Sequence, residues 1–392
     1  MKILLANKFY YRRGGDCIYM LNLERLLKQH EHEVAVFAMQ YPENLPSEWS
    51  GFFPSEVRFK PGPGMVEAFL RPFGTSEVKR KFCALLDEFK PDVVHLNNIH
   101  SQLSPVIAEL AHKRDIRVVW TIHDRKLLCP RYDGLKKGKY PCMECFFDNK
   151  SVLKNRCMKD SYLASWLAYM EAKKWNRKRL EASTDIYICP SQFMADRMIE
   201  GGFQKKKICV LCNAIDIAKC KKDSCDKRDD YYCYVGRLSS EKGVKTLIKA
   251  AQQLPYRLII IGGGPLEEEL KQIATEQISF TGQKEWKEIK EIESKAKFDV
   301  LPSEVCENNP LSLIEAKCLG TPVLGAKIGG IPELIEDSSG MIFESGNVED
   351  LKKKIQAMWE AKFDYQSIAR QSHERYNAEN YYQELMQIYQ NK

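Results

Sequence analysis

The sequence predicts an α/β protein built from two doubly wound, Rossmann-like domains facing a central cleft. Short apolar segments alternate with amphipathic ones along most of the chain, the pattern of parallel strands returned by helices. The alternation stops in a polar stretch at 216–228 and then starts again. The 392 residues, 44% hydrophobic and 29% charged, suffice for two cores, at roughly 100–200 residues per domain. That composition excludes a disordered, collagenous or coiled-coil chain.

The first domain is placed at 1–215. Lys2–Ala6 reads as a buried strand, and Ile18–Lys28 as a helix with Ile18, Leu21 and Leu26 at helical spacing. Glu33–Ala38, Asp92–Leu96, Arg117–Ile122 and Asp185–Cys189 read as further strands with helices between them. The linker is placed at 216–228 and the second domain at 229–370. There Tyr231–Val235, Tyr256–Ile261, Ile278–Phe280, Asp299–Leu301, Pro322–Leu324 and Gly340–Phe343 read as strands, and Lys245–Gln253 and Leu266–Ile273 as helices. Residues 371–392 close the chain with a helix over Tyr376–Gln390.

Ligands of such sheets bind beyond the carboxyl ends of the strands, so the residues there are the candidates. Glu307-Asn-Asn-Pro-Leu-Ser-Leu-Ile-Glu315 follows a strand and opens a helix. Pro310 suits the first turn of a helix, and the free N–H groups near Pro310 and Leu311 suit an anion. Glu307 and Glu315 flank that point, and carboxylates accept paired hydroxyls. A capping carboxylate plus an ordinary helix glutamate is the competing reading. In Gly236-Arg-Leu-Ser-Ser-Glu-Lys-Gly243, Arg237 and Lys242 suit a diphosphate, against a plain salt-bridge role for Arg237. Gly14-Gly15, beside Arg12 and Arg13, fits either a phosphate-approaching turn or a simple tight turn; it is not a dinucleotide fingerprint. His123 ends a strand and suits a sugar contact or acid–base work, against a structural histidine. No Asp-x-Asp pair occurs, so no metal bridge to a diphosphate is expected and no cofactor is required for catalysis.

These pieces resemble glycosyltransferase family 4, retaining nucleotide-sugar-dependent enzymes of the GT-B fold. The resemblance is carried by Gly14-Gly15, Pro91-Asp-Val-Val-His95, Thr121-Ile-His-Asp124 and Val210-Leu-Cys-Asn-Ala-Ile-Asp216. It continues through Gly236–Gly243, Gly262-Gly-Gly-Pro265, the Glu307–Glu315 pair and Gly329-Gly-Ile-Pro-Glu333. It implies that Arg237 and Lys242 bind the donor diphosphate, that Glu307 holds the donor sugar and that Glu315 holds the ribose hydroxyls. Backbone N–H groups near Pro310 and Leu311 would meet the distal phosphate, Gly14 and Gly15 would approach donor or acceptor, and His123 would contact the sugar. It also implies that the last helix crosses back to the first domain, and that the leaving phosphate assists deprotonation of the acceptor. Asn308-Asn309-Pro310 departs from the Gly-Phe-Gly of many relatives, a variant familiar in surface-polysaccharide enzymes. A nucleotide-sugar epimerase on the same fold and a non-catalytic carbohydrate-binding scaffold are the rival functions.

The charge is uneven. An insertion at about 125–180 holds 15 Lys and Arg against 5 Asp and Glu, a net of +10, within a chain of net +7. Such a patch attracts phosphates or an anionic membrane surface, and a solvated helix face is the alternative. Within it, Leu163, Trp166, Leu167 and Met170 share one helical face beside Lys173, Lys174, Arg177 and Lys178. That face suits either a membrane surface or the core. Cys129, Cys142, Cys145 and Cys157 follow a C-x12-C-x2-C-x11-C spacing, consistent with a structural zinc, free thiols or disulfides. With no apolar run near the roughly 20 residues of a span and no signal-peptide core, the expectation is a cytoplasmic protein, peripheral at the inner face of the membrane. Its expected partners are a nucleotide-diphosphate sugar and a glycan or lipid-linked acceptor, with no nucleic acid.

Overall fold

The computed structural model describes residues 1–57, 65–138, 140–220 and 227–391. The middle of the expected linker, 221–226, lies outside the described residues. The chain divides into two compact units, Met1–Leu211 with Tyr382–Lys392, and Cys212–Tyr381.

The first unit contains β1 (Lys2–Ala6), β2 (Glu33–Phe37), β3 (Val93–Leu96), β4 (Arg117–Thr121), a small antiparallel hairpin of β5 (Leu135–Lys136) and β6 (Tyr140–Pro141), then β7 (Ile186–Cys189) and β8 (Ile208–Val210). Six of them form a sheet in the order β2-β1-β3-β4-β7-β8, parallel at every pairing. Helices cover both faces, so the strands are apolar without alternation; Ile3, Leu4, Leu5 and Ala6 are wholly buried. The helix Ser76–Phe89 turns Val78, Phe82, Leu85, Leu86 and Phe89 inward, and the Phe82 ring meets Phe37 at 5.0 Å. The helix Gly15–Gln29 starts three residues before the expected Ile18.

The second unit contains β9 (Tyr231–Val235), β10 (Arg257–Ile261), β11 (Ile278–Gly282), β12 (Asp299–Leu301), β13 (Val323–Ala326) and β14 (Gly340–Phe343), in the order β11-β10-β9-β12-β13-β14. All pairings are again parallel. Tyr232, Leu247, Ile260, Phe298, Ile314 and Leu324 belong to its core. In each sheet the chain reverses direction at one strand pair, β1/β3 in the first and β9/β12 in the second. That is where ligands of doubly wound sheets bind.

The closing helix spans Ala378–Gln390, and its residues from Tyr382 onward belong to the first unit. There Tyr382 stacks on His30 at 3.6 Å, and the Arg117 guanidinium donates to the Ile388 carbonyl at 2.8 and 3.0 Å. A buried polar chain follows. The Tyr389 hydroxyl meets His95 Nδ1 at 2.5 Å, His95 Nε2 meets Thr121 Oγ1 at 2.7 Å, and Thr121 meets the Tyr19 hydroxyl at 3.2 Å. Burial pushes His95 down to about 3, so its imidazole is neutral.

The helical stretch beyond Asp160 is two helices, Tyr162–Lys174 and Arg177–Ala182, broken where the Asn176 side chain caps the second by accepting from the Arg179 N–H at 3.1 Å. The first helix buries its small and polar side, Ser165, Ala168 and Glu171, while Leu163 and Trp166 are 60% and 44% exposed. The apolar stripe therefore does not pack into the core. Glu171 is held instead by Lys126 at 2.8 Å and Ser101 at 3.0 Å. Among the described residues no helix is long and apolar enough to cross a membrane.

Tyr389→Phe leaves a buried histidine nitrogen unpaired. We expect a loss of about 1–3 kcal/mol, read as a lower urea midpoint, with Tyr382→Phe, at a half-buried hydrogen bond to His32, costing less.

Candidate functional site

The reversal point of the second sheet gathers four loops. The loop after β9 carries Arg237 and ends in a short turn, Ser240–Lys242. Gly243 then takes φ +66°, and a Cβ there would lie 1.9 Å from the Pro302 carbonyl, so only glycine lets the two loops close. The loop after β12 carries Ser303 and Glu307. The Lys242 ammonium donates to Glu307 Oε1 at 2.6 Å, and Ser303 Oγ donates to the same oxygen at 2.9 Å. Arg237 is exposed, and its guanidinium makes no hydrogen bond or ion pair among the described residues.

Two features missed by sequence reasoning fix this carboxylate. Gly329 has φ +62°, a Cβ on it would lie 2.1 Å from the Glu307 carbonyl, and Gly330 N–H donates to that carbonyl at 2.8 Å. The Gly329-Gly330 motif is thus a backbone clamp on Glu307. Asn309, in the variant triplet, is buried; its Oδ1 accepts the Asn213 N–H at 3.1 Å, and its own carbonyl accepts Asn213 Nδ2 at 3.0 Å. Cys212 lies outside β8 and packs its sulfur against Asn309. The signal for both was present: paired glycines after a strand, and a second asparagine in a quoted motif.

Pro310 caps the helix Leu311–Cys318 with extended backbone and no side-chain acceptor. The first-turn N–H groups of an α-helix have no partner inside the helix. Glu315, one turn further in, is half-buried, and burial raises its carboxyl to about 7 against the lowering pull of Lys219. Behind it Glu293 and Asp299 are buried; burial raises Glu293 well above the usual range and Asp299 to about 7.

In the first unit, Gly14 is the extended N-cap of the helix Gly15–Gln29. Gly15 has no atom within 4 Å of an added Cβ, and Gly14 only Asp16 Oδ1 at 3.4 Å, so nothing in the fold itself demands glycine there. His123, after β4, is anchored through Nε2 to Asn97 Oδ1 at 2.9 Å, and Tyr19 packs edge-on to its ring. Burial lowers His123 to about 4, against the opposing pull of Asp16. It is a neutral imidazole near pH 7, donating from Nε2 and leaving Nδ1 as an acceptor.

The four clustered cysteines are free thiols. As they stand, no three His, Cys, Asp or Glu side chains among the described residues are placed to hold one metal ion.

Solved structures share the fold over its whole length. Anabaena HepE in complex with UDP has a TM-score of 0.67 at 18% identity, covering 99% of both chains. WaaG, a glycosyltransferase involved in lipopolysaccharide biosynthesis, has a TM-score of 0.67 at 15% identity, covering 100% of both. Two parallel six-stranded sheets of this kind define the GT-B class of glycosyltransferases. The profile of Glycosyltransferase Family 4 matches residues 13–219, and that of Glycosyl transferases group 1 matches 218–377. The chain belongs to glycosyltransferase family 4. The sulfoquinovosyl transferase of Arabidopsis thaliana is 26% identical over 353 residues, which is 86% of this chain but 62% of that relative's length. A putative colanic acid biosynthesis glycosyltransferase of Escherichia coli K12 is 27% identical over 191 residues, 44% of this chain and 47% of its own.

Raised carboxyls bind protons in the folded state that they release when unfolded, so their contribution falls as pH rises from about 4 to about 7 and stays lost above. Asp299→Asn should therefore gain thermal stability relative to the parent as pH goes from 5 to 8. A difference in Tm that does not change with pH would contradict the buried-proton assignment.

Proposed function

We propose that this glycosyltransferase moves a sugar from a nucleotide-diphosphate donor to a glycan acceptor in surface-polysaccharide assembly, with retention of configuration and without a metal. The reading rests on one observation above all: the Lys242–Glu307 pair, Arg237 on the same loop as Lys242, and the uncapped start of the helix Leu311–Cys318 lie on loops at one strand edge of the second unit. Arg237, Lys242 and the helix N–H groups are the charge that a departing diphosphate needs in place of a divalent ion. On donor binding Lys242 would exchange part of its contact with Glu307 for phosphate oxygen, and Glu307 would turn to the hydroxyls of the sugar.

Glu315 is assigned to the ribose hydroxyls. Its raised carboxyl implies donor affinity that strengthens as pH rises through about 7, because only the ionised form accepts from both hydroxyls. Gly14, Gly15 and His123 lie beyond strand ends of the first unit and are assigned to the sugar and acceptor side; the neutral His123 serves as a hydrogen-bond partner. The family's usual chemistry, in which the leaving phosphate takes the acceptor's proton, is consistent with a second-unit site whose carboxylates Glu307 and Glu315 are already assigned. The donor reading draws further support from HepE, which was crystallised with UDP-glucose, and the pathway reading from relatives named for colanic acid and amylovoran biosynthesis.

The acceptor is proposed to be lipid-linked and met at an anionic membrane face. Phe147, Leu163 and Trp166 are 83%, 60% and 44% exposed within the +10 insertion, an apolar and basic combination suited to such a surface. Of the basic residues there, Lys174 and Arg177 donate to the Phe73 and Gly201 carbonyls, while Lys173 and Lys178 are exposed.

Glu307→Ala and Lys242→Ala should each lower kcat at least about 100-fold with an unchanged circular dichroism spectrum; full transfer by either rejects the site. Phe147→Ser with Trp166→Ser should weaken sedimentation with anionic vesicles, and undiminished binding rejects the membrane face.

A further inference from the structure

The stretch 129–160 has almost no core of its own. Its buried apolar groups are Cys129, Pro130, Val152 and Cys157, while Tyr132, Tyr140, Met143 and Phe147 face solvent. Its regular structure is two-residue strands and four-residue helices. Such short pieces do not hold themselves together. What they share is sulfur. The hairpin β5–β6 leads into Cys142-Met-Glu-Cys145, whose second cysteine lies in the first turn of the helix Glu144–Phe147. The Cys142 N–H donates to the Gly134 carbonyl at 2.8 Å. The Cys145 thiol is hydrogen-bonded to Cys129, and Cys142 and Cys157 both lie close enough to act on Cys145 electrostatically.

Backbone N–H groups of Arg131 and Gly134 donate to the Cys129 sulfur, and the Lys137 N–H donates to Cys157. N–H donors aimed at sulfur are the outer contacts that orient metal-bound thiolates and offset their charge. Arg131 adds a donor to the Cys157 carbonyl at 2.9 Å.

We propose that Cys129, Cys142, Cys145 and Cys157 bind one structural zinc ion that holds this insertion together. Four sulfur ligands suit a tetrahedral d¹⁰ ion, and with all four positions taken the site is closed and has no catalytic role. Binding requires the thiols to give up their protons and to rotate into common reach, since no three are so placed in the structure. The ion would do for these loops what an apolar core does elsewhere in the unit. It would also set the orientation of Met143 and Phe147, the apolar tip of the insertion.

The test is made on the full chain, reduced, supplied with zinc and freed of excess. Elemental analysis should find about one zinc per chain, released in step with the mercurial titration of four thiols. Cys142→Ser and Cys145→Ser, at half-buried positions chosen to spare the fold, should each lose the metal at least about 10-fold more readily to a chelator. Cys209→Ser, at a thiol outside the cluster, should not. Cobalt in place of zinc should give the visible absorption of a tetrahedral thiolate complex. Protein that takes up no zinc overturns the proposal, as does zinc retained equally by the Cys142→Ser, Cys145→Ser double variant. A Cys129–Cys145 disulfide in place of the metal, or iron with a sulfide chromophore, overturns it too.

Discussion

Parallel pairing throughout both six-stranded sheets forces every strand-following loop onto one edge. A parallel strand cannot hand over to its neighbour by a tight turn; the chain must first return through a helix. The edge at which strands end therefore collects loops from segments remote in sequence. In the second unit it sets the loop after β9 against the loop after β12, 65 residues later, close enough for the Lys242–Glu307 ion pair. Glycines at 243, 262, 264 and 329 then admit contacts that any Cβ would obstruct. The chemistry of the site follows from a rule about strand connection.

The electrostatics of that edge divide into two layers. Lys242 and Glu307 keep 29% and 17% of their side-chain surface exposed, so the pair is open enough to exchange partners. Deeper in, Glu293 and Asp299 form no ion pair among the described residues and hold protons instead. A neutral inner layer matters for a site built to receive an anion, because two ionised carboxyls there would oppose the diphosphate that Arg237 and Lys242 attract.

The sheet strands of both units were largely legible in the sequence, because strands buried on two faces are unbroken apolar runs, with errors of at most two residues at their ends. The candidate residues were legible as motifs after strands. Two kinds of information were not. The role of Asn309 depends on Asn213, nearly a hundred residues away, and the clamp on Glu307 depends on the φ of Gly329; the local motifs mark these residues but not the contacts that give them their roles. The helix bearing Leu163 and Trp166 misled in another way. Its apolar periodicity is real, but the sheet-facing side is the one with Ser165, Ala168 and Glu171, chosen because Lys126 and Ser101 satisfy the glutamate. Periodicity identifies a stripe and does not say what the stripe meets.

The polar chain Tyr389–His95–Thr121–Tyr19 has a bearing on how the protein is made. His95 leaves the ribosome almost three hundred residues before the tyrosine that satisfies it. Domains otherwise complete themselves in order of synthesis, amino-terminal first. Here the first unit begins first and finishes last, waiting with a buried imidazole unpaired while the whole second unit is synthesised. A chain stopped short of Tyr382 thus carries one finished unit and one unfinished, and the unfinished one is the older. The emergence of Tyr389, rather than that of either unit's bulk, is the event that closes the first unit.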